Sequence, residues 1–184
     1  MNPAPKKITV ARPEPGEYNA YYEKYIALVP GNDVLRFLED QATLYLRLFA
    51  GRGERDGEFR YAPGKWTVKE ALGHVSDTER IFAYRALRIA RGDKTPLAGF
   101  EQDDYVRNGG FAARRLADLA DEFAHVRRAT VALFRSFDEA AWLRRGTASE
   151  NEVTVRALAY ITAGHAQHHA NLFNEQYFPF IPRA

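Results

Sequence analysis

Gly164-His165-Ala166-Gln167-His168-His169-Ala170-Asn171 is the stretch on which the fold turns, because His165 and His169 stand one helical turn apart inside an otherwise apolar, periodic segment. The protein has five histidines, and three of them crowd here. At about 100° per residue, His169 lies about 40° around a helix from His165, so both imidazoles leave one face. Leu158, Ile161 and Leu172 share that face to within about 40°, which makes it the buried one. An unpaired imidazole is costly in an apolar interior. The pair therefore needs a partner inside the core, either a hydrogen-bonding neighbour or a shared metal ion.

Outward from this point, the segment from about Thr154 to about Tyr177 reads as the last of four long amphipathic helices. From Asn32, placed as the N-cap, Leu35, Leu38, Ala42, Tyr45 and Phe49 recur at three-four spacing, and Gly51 and Gly53 end the pattern. Thr67 and Glu70 form a Thr-x-x-Glu capping box that opens a second helix through Leu72, Val75, Phe82, Ala86 and Ile89, stopped by Gly92 and Pro96. Leu116, Leu119, Phe123, Val126, Thr130, Leu133 and Phe137 mark a third. Nothing reads as a strand. The fold expected is all-α, a four-helix bundle over residues 32–184, preceded at 1–31 by an extended N-terminal arm and a short tyrosine-rich helix. Pro3, Pro5, Pro13 and Pro15, with Lys6 and Lys7 between, keep the arm non-helical. The connections near 51–66, 92–112 and 138–153 are long for a bundle and leave room for a crossover, and the periodicity does not choose the topology.

Composition narrows the chemistry. With 26 basic and 24 acidic side chains the net charge is +2, which gives no reason to expect nucleic acid or an acidic membrane as partner. No apolar run approaches the roughly 18 residues of a membrane helix, and the first residues hold no signal-peptide core, so the expected location is cytoplasmic. The absence of cysteine removes disulfides, thiolate ligands and a cysteine nucleophile, leaving histidine, carboxylates, hydroxyls or a bound cofactor.

If His165 and His169 hold a metal, the best third ligand is His74 on the second helix, at the flank of its buried stripe. Taken alone, His74 reads equally as a hydrogen-bonded core histidine. Three neutral imidazoles suit zinc or nickel and not calcium, and a fourth position open to water or substrate would make the site reactive. His168, about 100° from His169, is placed beside the site or facing substrate. Asp77 and Glu70 lie one turn either side of His74, so either can accept its second N–H, although the capping box already employs Glu70. The loop from Thr95 to Asn108 is expected to shape a pocket for a small-molecule substrate, with Asp103, Asp104 and Tyr105 at its mouth or on a solvated turn. Arg80, Arg88, Arg91 and His125 fall off the apolar stripes and read as wet surface. There is no Gly-x-Ser-x-Gly, phosphate loop or His-Glu-x-x-His.

Gly64-Lys65-Trp66-Thr67-Val68-Lys69-Glu70, then Gly73-His74-Val75-Ser76-Asp77-Thr78-Glu79, then His165-Ala166-Gln167-His168-His169 together resemble the DinB/YfiT-like superfamily over roughly residues 32–177. That resemblance implies a four-helix bundle with one divalent metal, zinc or nickel, held by His74, His165 and His169. It also implies a metal-dependent transferase or hydrolase. Thiol-dependent S-transferases are among the family's branches, so a low-molecular-weight thiol is an expected cofactor beside the metal. Asn171 and Leu172 stand where the family often carries Gly and Gln. Homodimers are frequent in the family, and the mildly apolar stretch from Tyr18 to Val29 is the expected face for one. A non-catalytic metal-binding bundle, acting as a sensor or small-molecule binder, is the alternative to an enzyme.

Overall fold

The computed structural model describes residues 9–181. The expectations placed on Pro3, Pro5, Lys6 and Lys7, and the outer limits at 1 and 184, lie outside them. Residues 9–14 of the arm carry no regular secondary structure and lie on the bundle, and a turn closed by Glu17 N donating to the Glu14 carbonyl at 3.1 Å follows. Val10 is buried, its carbonyl accepts from the Tyr160 hydroxyl at 3.0 Å, and Arg12 donates to the carbonyls of Ile26 and Val29.

A single 3-10 turn, Ala20–Tyr22, leads into α1, Glu23–Ile26, the short tyrosine-rich helix that the sequence suggests. The second helix, α2, is Val34–Phe49, and its N-cap is Asp33, one residue beyond the expected Asn32, because the Asp33 carboxylate accepts from Arg36 N at 3.1 Å. Then come α3, Glu54–Glu58, and α4, Val68–Ala90. The capping box of α4 is formed in both directions: Thr67 Oγ1 accepts from Glu70 N at 3.2 Å, and Glu70 Oε2 accepts from Thr67 N at 2.7 Å. After it follow α5, Gln102–Asn108, α6, Leu116–Arg135, and α7, Glu139–Trp142. Two strands, β1, Arg145–Ala148, and β2, Asn151–Thr154, pair antiparallel before α8, Val155–Leu172, which continues into a π-turn at Phe173–Tyr177. The hairpin corrects the expectation that nothing here is a strand. Four-residue strands are too short for alternation to show.

The long helices pack as a ring in which α6 and α8 each contact both α2 and α4. Two apolar clusters fill it. One holds Leu35 and Leu38 of α2, Phe82 and Ile89 of α4, Val131 and Phe134 of α6, and Leu158 and Ile161 of α8. The other holds Tyr45 and Phe49, Leu72 and Val75, Leu119 and Phe123, and Ala166 and Ala170 from the same helices. Along the chain α2 and α8 thus run from the first cluster to the second, and α4 and α6 run back. Neighbours α4 and α6 are therefore parallel. Their link, residues 91–115, must return the length of a helix that spans roughly 35 Å, which is why it is long. On the way Leu97 forms a parallel bridge to Ala148, so this link and the hairpin make one wall.

Between the two clusters lies a polar layer. Arg127 of α6, fully buried, donates from Nε to Glu79 Oε1 of α4 at 2.8 Å and from Nη2 to Glu79 Oε2 at 2.7 Å. Its Nη1 donates to Gln41 Oε1 of α2, and Gln41 Nε2 donates to the Ala163 carbonyl of α8 at 2.9 Å. All four long helices meet in this chain of hydrogen bonds. Arg128, the neighbour of Arg127, is exposed. Among the described residues no helix is long and apolar enough to cross a membrane.

Candidate metal centre

The same layer carries His74, His165 and His169, all buried. His165 and His169 lie on α8 one turn apart, and His74 reaches them from α4, which packs against α8. His74 Nε2 stands 3.2 Å from His165 Nε2, the three ring centroids are 4.7–5.2 Å apart, and one ring nitrogen from each lies within 4.8 Å of the others.

Aromatic groups wall the cluster: Trp66 lies 4.7 Å from the His74 ring, and Tyr25 and Phe82 lie 5.5 and 6.0 Å from that of His165. Gly164 makes the Tyr25 contact possible. A Cβ there would sit 2.0 Å from the Tyr25 carbonyl oxygen, so only glycine lets α1 lie against α8. Burial pushes the His74 pKa down to about 4, with the Asp103 charge acting weakly the other way. Burial also takes His165 and His169 well below the ordinary histidine value, reinforced by the neighbouring imidazoles, His169 and His74 for His165, and His74 and His168 for His169. All three are thus neutral near pH 7, the state in which imidazole is a ligand.

Two nitrogens on one tetrahedral zinc, each at about 2.0–2.1 Å, stand roughly 3.3 Å apart, close to the His74–His165 separation. A hydrogen bond between two neutral rings would also give that distance. It would leave the third ring unexplained, because His169 Nδ1 is buried with no hydrogen-bond partner among the described residues. The donor set fits a borderline cation such as zinc or nickel.

The sequence placed other residues near this site with mixed outcome. Asp77 does not meet His74: its Oδ1 accepts from Arg80 at 3.2 Å, and the group beside His74 Nδ1 is Thr78 Oγ1, at 3.4 Å. The reason is helical. Residue i+4 lies about 40° from His74 and i+3 about 60° on the other side. His168 is exposed, its ring edge-on to Tyr25 and His169, outside the cavity described next. His125 is exposed, and Glu70 is occupied by its cap. Of the stretch expected as a dimer face, Tyr25, Ile26 and Val29 are buried by the chain itself, while Tyr21 is 59% exposed.

His74 and His165 open onto a cavity of about 540 Å³, lined also by Tyr22, Phe82, Arg85, Phe100 and Ser149. The loop from Thr95 to Asn108 contributes Gly99, Phe100, Glu101 and Gln102 to the lining, while Asp104 and Tyr105 are exposed outside it. The sequence reading singles out neither Arg85, on α4 itself, nor Glu101 within the expected loop, nor Ser149. The return path of the α4–α6 link brings Glu101 to the histidines, and the hairpin brings Ser149.

Among solved structures the chain is similar to YfiT from Bacillus subtilis, described as a probable metal-dependent hydrolase with an unusual four-helix bundle topology. Sequence identity is 14%, the TM-score is 0.70, and 91% of each chain is covered. That likeness concerns the fold. No curated protein matches the chain. The sequence profile of the DinB superfamily matches residues 38–173, a span that includes all four long helices in part or whole and the three buried histidines. The chain belongs to the DinB superfamily.

Proposed function

We propose that the protein is a divalent-metal-dependent enzyme acting on a small molecule, with hydrolysis as its reaction class and His74, His165 and His169 as the metal ligands. The observation that carries this reading is the convergence of three neutral, buried imidazole nitrogens within 4.8 Å, two of them on the wall of a substrate-sized cavity. The description of YfiT as a probable metal-dependent hydrolase supports the same class.

A divalent ion supplies Lewis acidity, lowering the pKa of a water or thiol and polarising a substrate carbonyl. The chain does the rest. His74, His165 and His169, as neutral imidazoles, each present one lone pair, Thr78 Oγ1 lies at the far nitrogen of the His74 ring, and Trp66, Tyr25 and Phe82 keep bulk water from the rings. Among the described residues Glu101 is the one carboxylate of the cavity lining, and it is the candidate to take a proton from a nucleophile. Three protein donors, with no fourth His, Asp or Glu in the cluster among the described residues, favour a reactive site over a saturated one. This weighs against a purely binding module.

Tag-free protein dialysed against zinc or nickel is expected to retain about one ion per chain, read by mass spectrometry of the metal, and the His169→Ala variant to lose it. The loaded protein should cleave members of an ester and amide panel. The same panel run with glutathione and with other low-molecular-weight thiols tests the finer expectation of thiol transfer. Failure of the parent chain to retain either ion overturns the metal reading.

A further inference from the structure

Two other arginines, Arg127 in the core and the partly buried Arg156, are matched by carboxylates. Arg127 is bidentate to Glu79, and Arg156 is bidentate to Glu17. Arg85 is different. It is 3% exposed, it lines the cavity beside the histidines, and it has no ion pair among the described residues. Its Nη2 is spent on the Ala98 carbonyl and on Ser149 Oγ, both at 2.8 Å. Nε and Nη1 have no hydrogen-bond partner among the described residues, yet neither is sealed inside the protein.

A guanidinium stays charged in any protein, and a charge taken this far from water is costly unless something answers it. Phe82 and Phe100 lie 5.9 and 6.0 Å from its central carbon and supply part of the answer through their ring faces. Glu101, in the same lining, makes no ion pair with it. The hairpin tip is spent on aiming the group: Ser149 has φ +48°, a left-handed conformation that a side-chain-bearing residue rarely adopts, and its hydroxyl fixes Nη2. What remains without a partner is Nη1 on one side of the guanidinium and Nε–H on the other, in a group that lines the cavity between Phe82 and Phe100.

We propose that Arg85 is the anion-recognition residue of this cavity, and that the substrate is a small monocarboxylate whose carboxylate pairs with Arg85 while its reacting bond lies at the histidine cluster. With Nη2 spent, Nε–H and Nη1 point to different sides of the guanidinium, so a carboxylate pairs with Arg85 through one of them, in a single charge-assisted contact. A phosphate dianion is the poorer fit, because Arg85 is the only cation of the lining and Glu101 opposes a second negative charge. Phe82, Phe100 and Tyr22 offer flat apolar surface for the carbon body of such an acid. Position 85 lies three turns beyond His74 on one face of α4, about 16 Å along the axis, with its side chain leaning back toward the helix start. The recognised carboxylate therefore sits several bonds from the bond that reacts.

This inference rests on the cavity being the reaction chamber, and the two can fail separately. The probe is benzoate, with benzamide as its neutral counterpart and inorganic phosphate as the competing anion, titrated calorimetrically into the full chain. Benzoate is expected to bind, benzamide to bind about tenfold more weakly, and phosphate to bind more weakly than benzoate. Arg85→Gln should weaken benzoate by about tenfold or more, and Arg85→Lys should fall between, with metal content unchanged in both. In the parent chain at least one of the free Arg85 guanidinium N–H nuclear magnetic resonances, Nε–H or Nη1–H, should shift on titration, a readout independent of any variant's folding. If neither moves, or if Arg85→Gln binds benzoate as tightly as the parent, the assignment is overturned. If phosphate binds more tightly than benzoate, the carboxylate class is overturned. Loss of metal retention with intact benzoate binding would instead sink the hydrolase reading and leave Arg85 its role.

Discussion

Glu17 ties the amino-terminal segment to the start of α8, and its charge is the means. Burial alone would raise its pKa, but hydrogen bonds from Arg156 and Thr154 outweigh that and bring it below the ordinary carboxylate value. A carboxyl group depressed in the folded state contributes stability that is present above the unfolded value, near 4.5, and lost as pH falls through the folded one. The midpoint of urea unfolding should therefore decline below about pH 4.5, and Glu17→Gln should flatten that decline. At pH 7 the same variant should cost about 1–2 kcal/mol, a few degrees of melting temperature. An unchanged acid limb would show that the pair is inert. At this scale the sequence made His74, His165 and His169 legible, because each carries rare chemistry at a periodicity that fixes its face. Arg85 was hidden among Arg80, Arg88 and Arg91 on one helix, since nothing local says that only this arginine is covered by a distant hairpin. Thr78, and not Asp77, stands at the His74 ring because azimuth along the helix, not charge, decides contact.

The hairpin of β1 and β2 is the element that turns a bundle into a lined cavity. Its two-residue loop, Ser149 and Glu150, has φ +48° and +64°, the pattern of a type I′ turn, and these are the only non-glycine residues with positive φ among the described residues. Such turns favour Asn-Gly, and a side-chain-bearing residue there costs roughly 1–2 kcal/mol. Glu150 is exposed, so Glu150→Gly should relieve that strain against a glycine entropy cost of about 0.5–1 kcal/mol. The net expectation is a rise in melting temperature of about 2–3 °C without loss of metal binding. A fall would mean that the Glu150 side chain contributes an interaction of its own. The absence of Asn-Gly is also why the hairpin was invisible in the sequence: Arg145 to Thr154 lacks both the favoured turn and a clean alternation. The four long helices were legible from three-four spacing and from caps such as Thr67 with Glu70, where every local signal agrees. The helix inside the α4–α6 link, α5, is seven residues long and gave too little periodicity to register.

Across the whole molecule, two apolar halves meet at a polar layer, and that layer both carries the candidate metal centre and links the four long helices. Arg127 is its keystone: through Glu79 it binds α4, and through Gln41 it reaches α2 and the Ala163 carbonyl, two residues before His165 on α8. The topology has parallel neighbours and a long return link, so these helices lack the short loops that set register in a simple bundle. Removing one member of a buried ion pair strands the other, at a cost of about 3–5 kcal/mol. For a chain of this size, Arg127→Met should lower the melting temperature by roughly 6–20 °C. The double variant Arg127→Met, Glu79→Met removes both charges and should regain most of that loss, since apolar side chains replace a buried pair at little cost. Metal retention separates two roles for the layer. If the double variant is stable yet holds its ion more weakly than the parent, the hydrogen-bonded chain aligns α8 against α4 and so positions His165 toward His74. If it holds the ion as tightly as the parent, aliphatic packing alone sets that alignment, and the ion pair serves only the fold.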